Sequence, residues 1–128
     1  MARILIAEDD SSMRQFLAMA LRRAGHEVEI RDDGLAALNA LQEDGAAYDL
    51  LLADIVMPGM DGIELSQKAA KLVPELKVMF ITGFAGVALA HKDEMKPDTQ
   101  VLSKPFHLKD LVAEVDRIFQ TEDQHGRL

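Results

Sequence analysis

The chain has 128 residues, no cysteine and a formal net charge of −8. That length gives one domain with a hydrophobic core that needs no staples, and the missing cysteine excludes disulfide scaffolds, thiolate metal sites and thiol nucleophiles. The acidic balance, the absence of tryptophan and the single tyrosine argue against nucleic acid, which asks for basic patches and stacking platforms.

Short apolar runs alternate with helical patterns along the whole chain. Arg3–Ala7 reads as a strand, and Phe16, Leu17, Ala20, Leu21 and Ala24 then recur at helical spacing. Asp10 or Ser11 caps that helix and Gly25 stops it. Glu27–Ile30 is a second strand. Leu35, Leu38 and Leu41 mark a second helix that closes near Gly45. Leu50–Ala53 is a third strand, and the third helix enters through Asp61-Gly62, carries Ile63, Leu65, Ala69, Ala70, Leu72 and Val73, and stops before Pro74. Val78–Ile81 is a fourth strand. Between Gly83 and Pro97 only Val87–Ala90 looks helical, so a short or mobile fourth helix is expected. Val101–Ser103 is the fifth strand, and Leu108, Leu111, Val112, Val115, Ile118 and Phe119 mark the last helix. Residues 1–120 form one domain, and 121–128 read as a polar, frayed tail. Strict alternation of strand and helix means an α/β fold with a doubly wound parallel sheet, and right-handed crossovers leave few topologies.

Each of four runs ends in a chemically useful side chain: Glu8-Asp9-Asp10, Asp54, Thr82, and Lys104 followed by Pro105. In an open parallel sheet the carboxyl ends of the strands share one edge, where ligands bind. Singly, each residue has an ordinary explanation: a helix cap, a turn former or a solvated charge. Together, at four strand ends, they describe a pocket. Like charges ~4–5 Å apart repel by a few kcal/mol at a protein-surface dielectric. Lys104 offsets one carboxylate, and the remainder calls for a divalent cation. The ligands are all oxygens, which suits Mg²⁺ rather than zinc. Asp54, alone at the tip of the most apolar run, is the candidate nucleophile, since a carboxylate attacks phosphorus to give an aspartyl phosphate. Lys104 and the Thr82 hydroxyl would stabilise the transferring group.

These residues, in the motifs Ile6-Ala7-Glu8-Asp9-Asp10-Ser11-Ser12-Met13-Arg14, Asp54-Ile55-Val56-Met57-Pro58-Gly59-Met60-Asp61-Gly62, Thr82-Gly83 and Lys104-Pro105-Phe106, resemble the receiver domain of two-component response regulators over Arg3 to about Phe119. The resemblance implies a flavodoxin-like (βα)5 fold with strand order 2-1-3-4-5. It implies that Asp54 is the phosphoacceptor, that Asp9 binds Mg²⁺ directly and Glu8 through water, and that the Val56 carbonyl is a further ligand. Thr82 and Lys104 would hold phosphoryl oxygens, with a cis bond between Lys104 and Pro105. Pro58 and Gly59 fit a rigid turn, and Gly62 a tight entry into the third helix.

The phosphodonor implied is a histidine kinase or a histidine phosphotransferase. The protein would be a phosphoacceptor rather than a turnover enzyme. The usual output face would comprise Ala88, Leu89, His91, Val101, Phe106, His107, Lys109 and Val112, with signalling through the receiver's own surface. For Phe106 and Val112 a plain core role is an equal alternative. His26, His91, His107 and His125 lack metal or relay spacing and read as surface residues.

Three positions depart from the family pattern. Val101 stands where an aromatic often reports the switch through its coupling to the threonine. Val56 and Phe84 stand where side chains tune the attacking water, and neither orients water by hydrogen bonding, so a long-lived phosphoryl group is expected. A narrower resemblance, carried by Phe80-Ile81-Thr82-Gly83-Phe84-Ala85 and Leu102-Ser103-Lys104-Pro105-Phe106-His107-Leu108, is to single-domain regulators of the cell-cycle phosphorelay. That resemblance implies a protein that would prime the AAA+ protease ClpXP when unphosphorylated and would be recruited to a cell pole.

The N-terminal apolar run is broken by Glu8, unlike a signal peptide, and no stretch approaches the ~20 apolar residues of a membrane span; a cytoplasmic protein is expected. Two rival chemistries fit less well. A haloacid-dehalogenase-type phosphatase needs a second Asp two residues after its nucleophile, where this chain has Val56. A flavodoxin needs a phosphate cradle in its first loop, where this chain has Glu8-Asp9-Asp10. A third reading stays within signalling: a phosphorelay intermediate, or a phosphate sink, that exchanges its phosphoryl group with a histidine phosphotransferase.

Overall fold

The structure, a computed structural model, describes residues 1–96 and 99–126, with backbone alone for Ala85 and 121–126. Strands and helices alternate as β1 (Arg3–Ala7), α1 (Ser11–Arg23), β2 (Glu27–Arg31), α2 (Gly34–Asp44), β3 (Leu50–Asp54), α3 (Gly62–Leu72), β4 (Lys77–Thr82), α4 (Ala85–Ala90), β5 (Gln100–Ser103) and α5 (Leu108–Gly126). All strands pair in parallel, in the order β2-β1-β3-β4-β5. This is the doubly wound flavodoxin-like arrangement.

Alternation along the buried strands builds two cores, because successive side chains point to opposite faces. Leu5, Ala7, Leu51, Ala53 and Phe80 pack with Ala37, Leu41, Leu65 and Ala69 of α2 and α3. Ile4, Ile6, Leu50, Leu52, Met79 and Ile81 pack with Leu17, Leu21, Leu111 and Val115 of α1 and α5. Burying the side chain of one of these aliphatic residues contributes about 1.5–3 kcal/mol.

Helix starts follow the expected chemistry. Asp10, Asp33 and Asp61 are N-caps whose carboxylates accept from the backbone N–H of Met13, Ala36 and Glu64. Gly25 ends α1 with φ +98. The α4 helix is indeed short, and its N-cap, Phe84, makes no side-chain capping bond.

Three expectations need correction. Helix α5 runs through Gly126 rather than giving way to a tail at 121; the apolar stripe ends at Phe119, but Thr-Glu-Asp-Gln-His contains no breaker and the helix continues. Residues 127–128, and the surface position of the His125 side chain, lie outside the described residues. Leu35 does not face the core but is 58% exposed, and Ala37 and Ala40 are buried in its stead.

His26 is not a surface residue. The turn at Gly25 folds its ring under β1, where Nδ1 accepts from the Ala2 N–H at 3.0 Å, and its side chain is only 8% exposed. Among the described residues no helix is long and apolar enough to cross a membrane.

Candidate functional site

The site grows from the strand register. Asp54 pairs with Ile81, and Thr82 pairs with Ser103, so both functional residues are the last residues of their strands rather than the first of a loop. Glu8 follows β1 and stays on the sheet through its N–H to the Arg31 carbonyl at 3.2 Å. Lys104 follows β5 and is held by its N–H to the Thr82 carbonyl at 2.7 Å. Hydrogen bonding thus extends past the ends of both strands, and neighbouring strands deliver these side chains to one edge.

Three carboxylates meet there. Oxygens of Glu8, Asp9 and Asp54 all lie within 4.8 Å of one another. Glu8 is fully buried, Asp54 is 6% exposed, and Asp9 faces solvent. Lys104 Nζ donates to Asp54 Oδ2 at 3.0 Å and to Glu8 Oε1 at 3.1 Å. The other Asp54 oxygen accepts from the Val56 N–H at 3.2 Å. Thr82 is fully buried, and its Oγ1 accepts from the Phe84 N–H at 3.0 Å. The Lys104–Pro105 bond is cis. Val56 and Phe84 are 44% and 61% exposed beside the site.

One ammonium shared by two buried carboxylates leaves an electrostatic deficit, and Glu8 carries it. Burial, together with the proximity and hydrogen bonding of Asp54, pushes its pKa from the ordinary 4.5 to about 7, against the opposing pull of Lys104. For Lys104, burial pulls the pKa down, but the two carboxylates more than offset it and the net shift is upward.

The folded protein therefore holds the Glu8 proton to about pH 7, whereas the unfolded chain releases it near 4.5. The stability contributed by this group is complete below pH 4.5 and is lost as pH rises through 7. Urea denaturation across that window is expected to show this loss in the wild type, and Glu8→Gln is expected to flatten it. An equal slope in both proteins would contradict the assignment.

The donor set fits a hard divalent cation. Three carboxylates with one open, solvent-facing side match Mg²⁺, which keeps several waters and takes few protein ligands. Glu8, Asp9 and Asp54 would hold it, with Val56, two residues past the end of β3, offering its carbonyl as a further ligand.

Some of what builds the site leaves little trace in the sequence. Arg14 Nη1 donates to the Glu8 carbonyl at 2.9 Å and to the Asp9 carbonyl at 3.4 Å. Its place one turn into a helix that follows the acidic run was the available signal. A Cβ on Gly34 would lie 2.6 Å from the Met60 carbonyl, so the loop after β3 sits directly on the start of α2. No local signal marks that contact. On the expected output face Leu89 is 72% exposed and Val101 38%. Phe106 is half-buried and packed against the α1–α5 core, and Val112 is half-buried.

Comparison with known proteins agrees with this geometry. The response regulator receiver domain family matches residues 4–116. The chain is 54% identical over 118 residues to the response regulator receiver protein CpdR of Brucella abortus (strain 2308), covering 92% of this chain and 97% of that one. It is 33% identical over 122 residues to the sensor kinase CckA of the same organism, covering 95% of this chain but 13% of the kinase. Among solved structures, a CheY-like receiver domain protein from Methanospirillum hungatei JF-1 superposes with TM-score 0.86 at 28% identity, covering 98% of each chain. The receiver domain of the hybrid histidine kinase CckA superposes with TM-score 0.78 at 35% identity, covering 90% of this chain and 96% of that one. With an acidic cluster, a strand-end threonine and a bridging lysine at the carboxyl edge of a 2-1-3-4-5 sheet, this chain belongs to the response regulator receiver family.

Proposed function

We propose that Asp54 accepts a phosphoryl group from a histidine kinase or histidine phosphotransferase, and that this changes a protein-binding surface. The carrying observation is the Lys104 ammonium, held 3.0 Å from Asp54 and 3.1 Å from Glu8 beside the acidic cluster. An Asp54 oxygen forms the new P–O bond as the P–N bond to the donor imidazole breaks, and the electron pair leaves with the imidazole. Bound Mg²⁺ would neutralise charge on the phosphoryl oxygens. Lys104 exchanges its bond to the Asp54 carboxylate for one to a phosphoryl oxygen, and Thr82 supplies a hydroxyl donor. The protein acts as a phosphoacceptor that takes part in its own phosphorylation, not as a turnover enzyme.

Moving a two-state surface from 1:99 to 99:1 requires ~5.5 kcal/mol of differential stabilisation. A few charge-assisted hydrogen bonds at ~1.5–3 kcal/mol each supply that. The loop after Thr82 and the short α4 that it leads into are the elements placed to respond.

The identity to CpdR along nearly its whole length supports a narrower reading: a cytoplasmic adaptor in cell-cycle proteolysis that primes ClpXP when unphosphorylated and gathers at a cell pole. The match to the receiver segment of CckA favours a second one, a relay or phosphate sink that exchanges phosphate with a histidine phosphotransferase. Affinity capture with wild type and Asp54→Ala separates them. Recovery of the protease by the unphosphorylatable form supports the adaptor, and recovery of a phosphotransferase alone supports the relay.

Val56 and Phe84, exposed and bonded through their backbone N–H groups to Asp54 and Thr82, offer no side-chain hydrogen bond to an attacking water. The aspartyl phosphate is expected to persist for many minutes in Mg²⁺ alone. Phosphate release timed after removal of a small-molecule donor tests this, and a half-life of seconds would refute it.

A further inference from the structure

We propose that Arg14 is a positioning residue for the cation site, acting through the backbone of the acidic turn; this rests on the reading of Glu8, Asp9 and Asp54 as the metal-binding carboxylates. Arg14 lies in the first turn of α1 and is half-buried. One guanidinium nitrogen reaches back to two consecutive carbonyls, Glu8 O at 2.9 Å and Asp9 O at 3.4 Å. The Arg14 backbone N–H donates to the carbonyl of the third acid, Asp10, at 2.8 Å. The Asp10 carboxylate is spent as the α1 cap. A single residue thereby fixes the main chain of all three acids to the start of one helix.

The bonds run to carbonyls, not to carboxylates, so Arg14 orders the turn without occupying the carboxylate oxygens that face the pocket. Glu8 enters it fully buried and meets Lys104, while Asp9 remains at its open side. A turn carrying adjacent like charges would otherwise separate them, and Mg²⁺ binding would have to draw them together again. Arg14 supplies that ordering in advance. Groups that orient metal ligands without touching the metal typically change affinity 10–100-fold when removed.

The test is an NMR titration of the full chain with Mg²⁺ alone, following the amides of residues 8, 9 and 54. Arg14→Ala is expected to raise the Mg²⁺ Kd about tenfold. Arg14→Lys, which keeps one nitrogen able to reach a carbonyl, is expected to stay within about threefold of wild type. Phosphorylation of Arg14→Ala by a small phosphoramidate donor should be slow at low Mg²⁺ and recover at saturating Mg²⁺, a split that simple loss of folding would not produce. If Arg14→Ala does not fold, Arg14→Gln, too short to reach the same carbonyls, carries the same tenfold expectation. A folded Ala or Gln variant that binds Mg²⁺ within twofold of wild type overturns the role of Arg14. A wild-type protein with no saturable shifts at residues 8, 9 and 54 would instead remove the cation site itself.

Discussion

Asp54→Asn is expected to take up no phosphoryl group from any donor and yet to fold more stably than wild type above pH 7. The first effect follows because Asn retains the shape and lacks the nucleophilic carboxylate oxygen. The second follows from the balance of charge. Two buried carboxylates compete for Lys104, and Asp54 is among the causes that push the Glu8 pKa to about 7. Removing one negative charge leaves a simple Glu8–Lys104 pair, and the amide oxygen can still accept from the Val56 N–H. The gain is on the order of 1 kcal/mol, the size of a like-charge repulsion relieved in a partly solvated pocket. The Glu8 pKa should fall toward 4.5, visible in its side-chain carbon shifts during an NMR pH titration. A less stable Asn variant would mean that the carboxylate pair is not repulsive, and phosphoryl uptake by that variant would move the acceptor elsewhere.

Gly62→Ala is expected to be the most destabilising single-methyl change at the site. A Cβ at this position would stand 2.3 Å from the Asp54 carbonyl oxygen and 3.0 Å from Ile55 Cα, both backbone atoms that no rotamer relieves. The Gly62 N–H donates to the Ile55 carbonyl at 2.8 Å, so α3 begins hard against the strand that carries the acceptor. Overpacking against main chain costs about 3 kcal/mol, which lowers the melting temperature by roughly 10 °C in a domain of this size. The shift would also displace Asp54, so phosphorylation should slow even below the melting transition. Gly83→Ala is the control, because its Cβ meets nothing within 4 Å. Calorimetry showing Gly62→Ala within about 1 kcal/mol of wild type would contradict the close approach.

That example shows where the sequence was legible and where it was not. The strands were readable because their burial on both faces demands unbroken apolar runs. The reactive residues were readable because they terminate those runs. The sequence marks Gly62 as a tight entry to α3, but its reason is spatial: its φ is not positive, unlike that of Gly59, and what excludes a side chain is a carbonyl eight residues earlier. Arg14 belongs to the first motif, yet its side-chain bonds go to backbone atoms, which leave no pattern of side-chain types. His26 looked like a solvated histidine because nothing local shows that the turn at Gly25 carries it beneath β1. Periodicity reports which face of an element is buried; it does not report which loop passes behind a given residue.

We propose phosphorylation of Asp54 with the help of a cation held by its acidic neighbours. Its most direct test is to treat the wild-type protein with a small phosphodonor, with Mg²⁺ or with chelator, trap the acyl phosphate by borohydride reduction, and locate it by peptide mass spectrometry. A single modified residue, Asp54, is expected in the Mg²⁺ sample and none in the chelated one. Modification at another residue, or equal modification of Asp54 without a divalent cation, would contradict it.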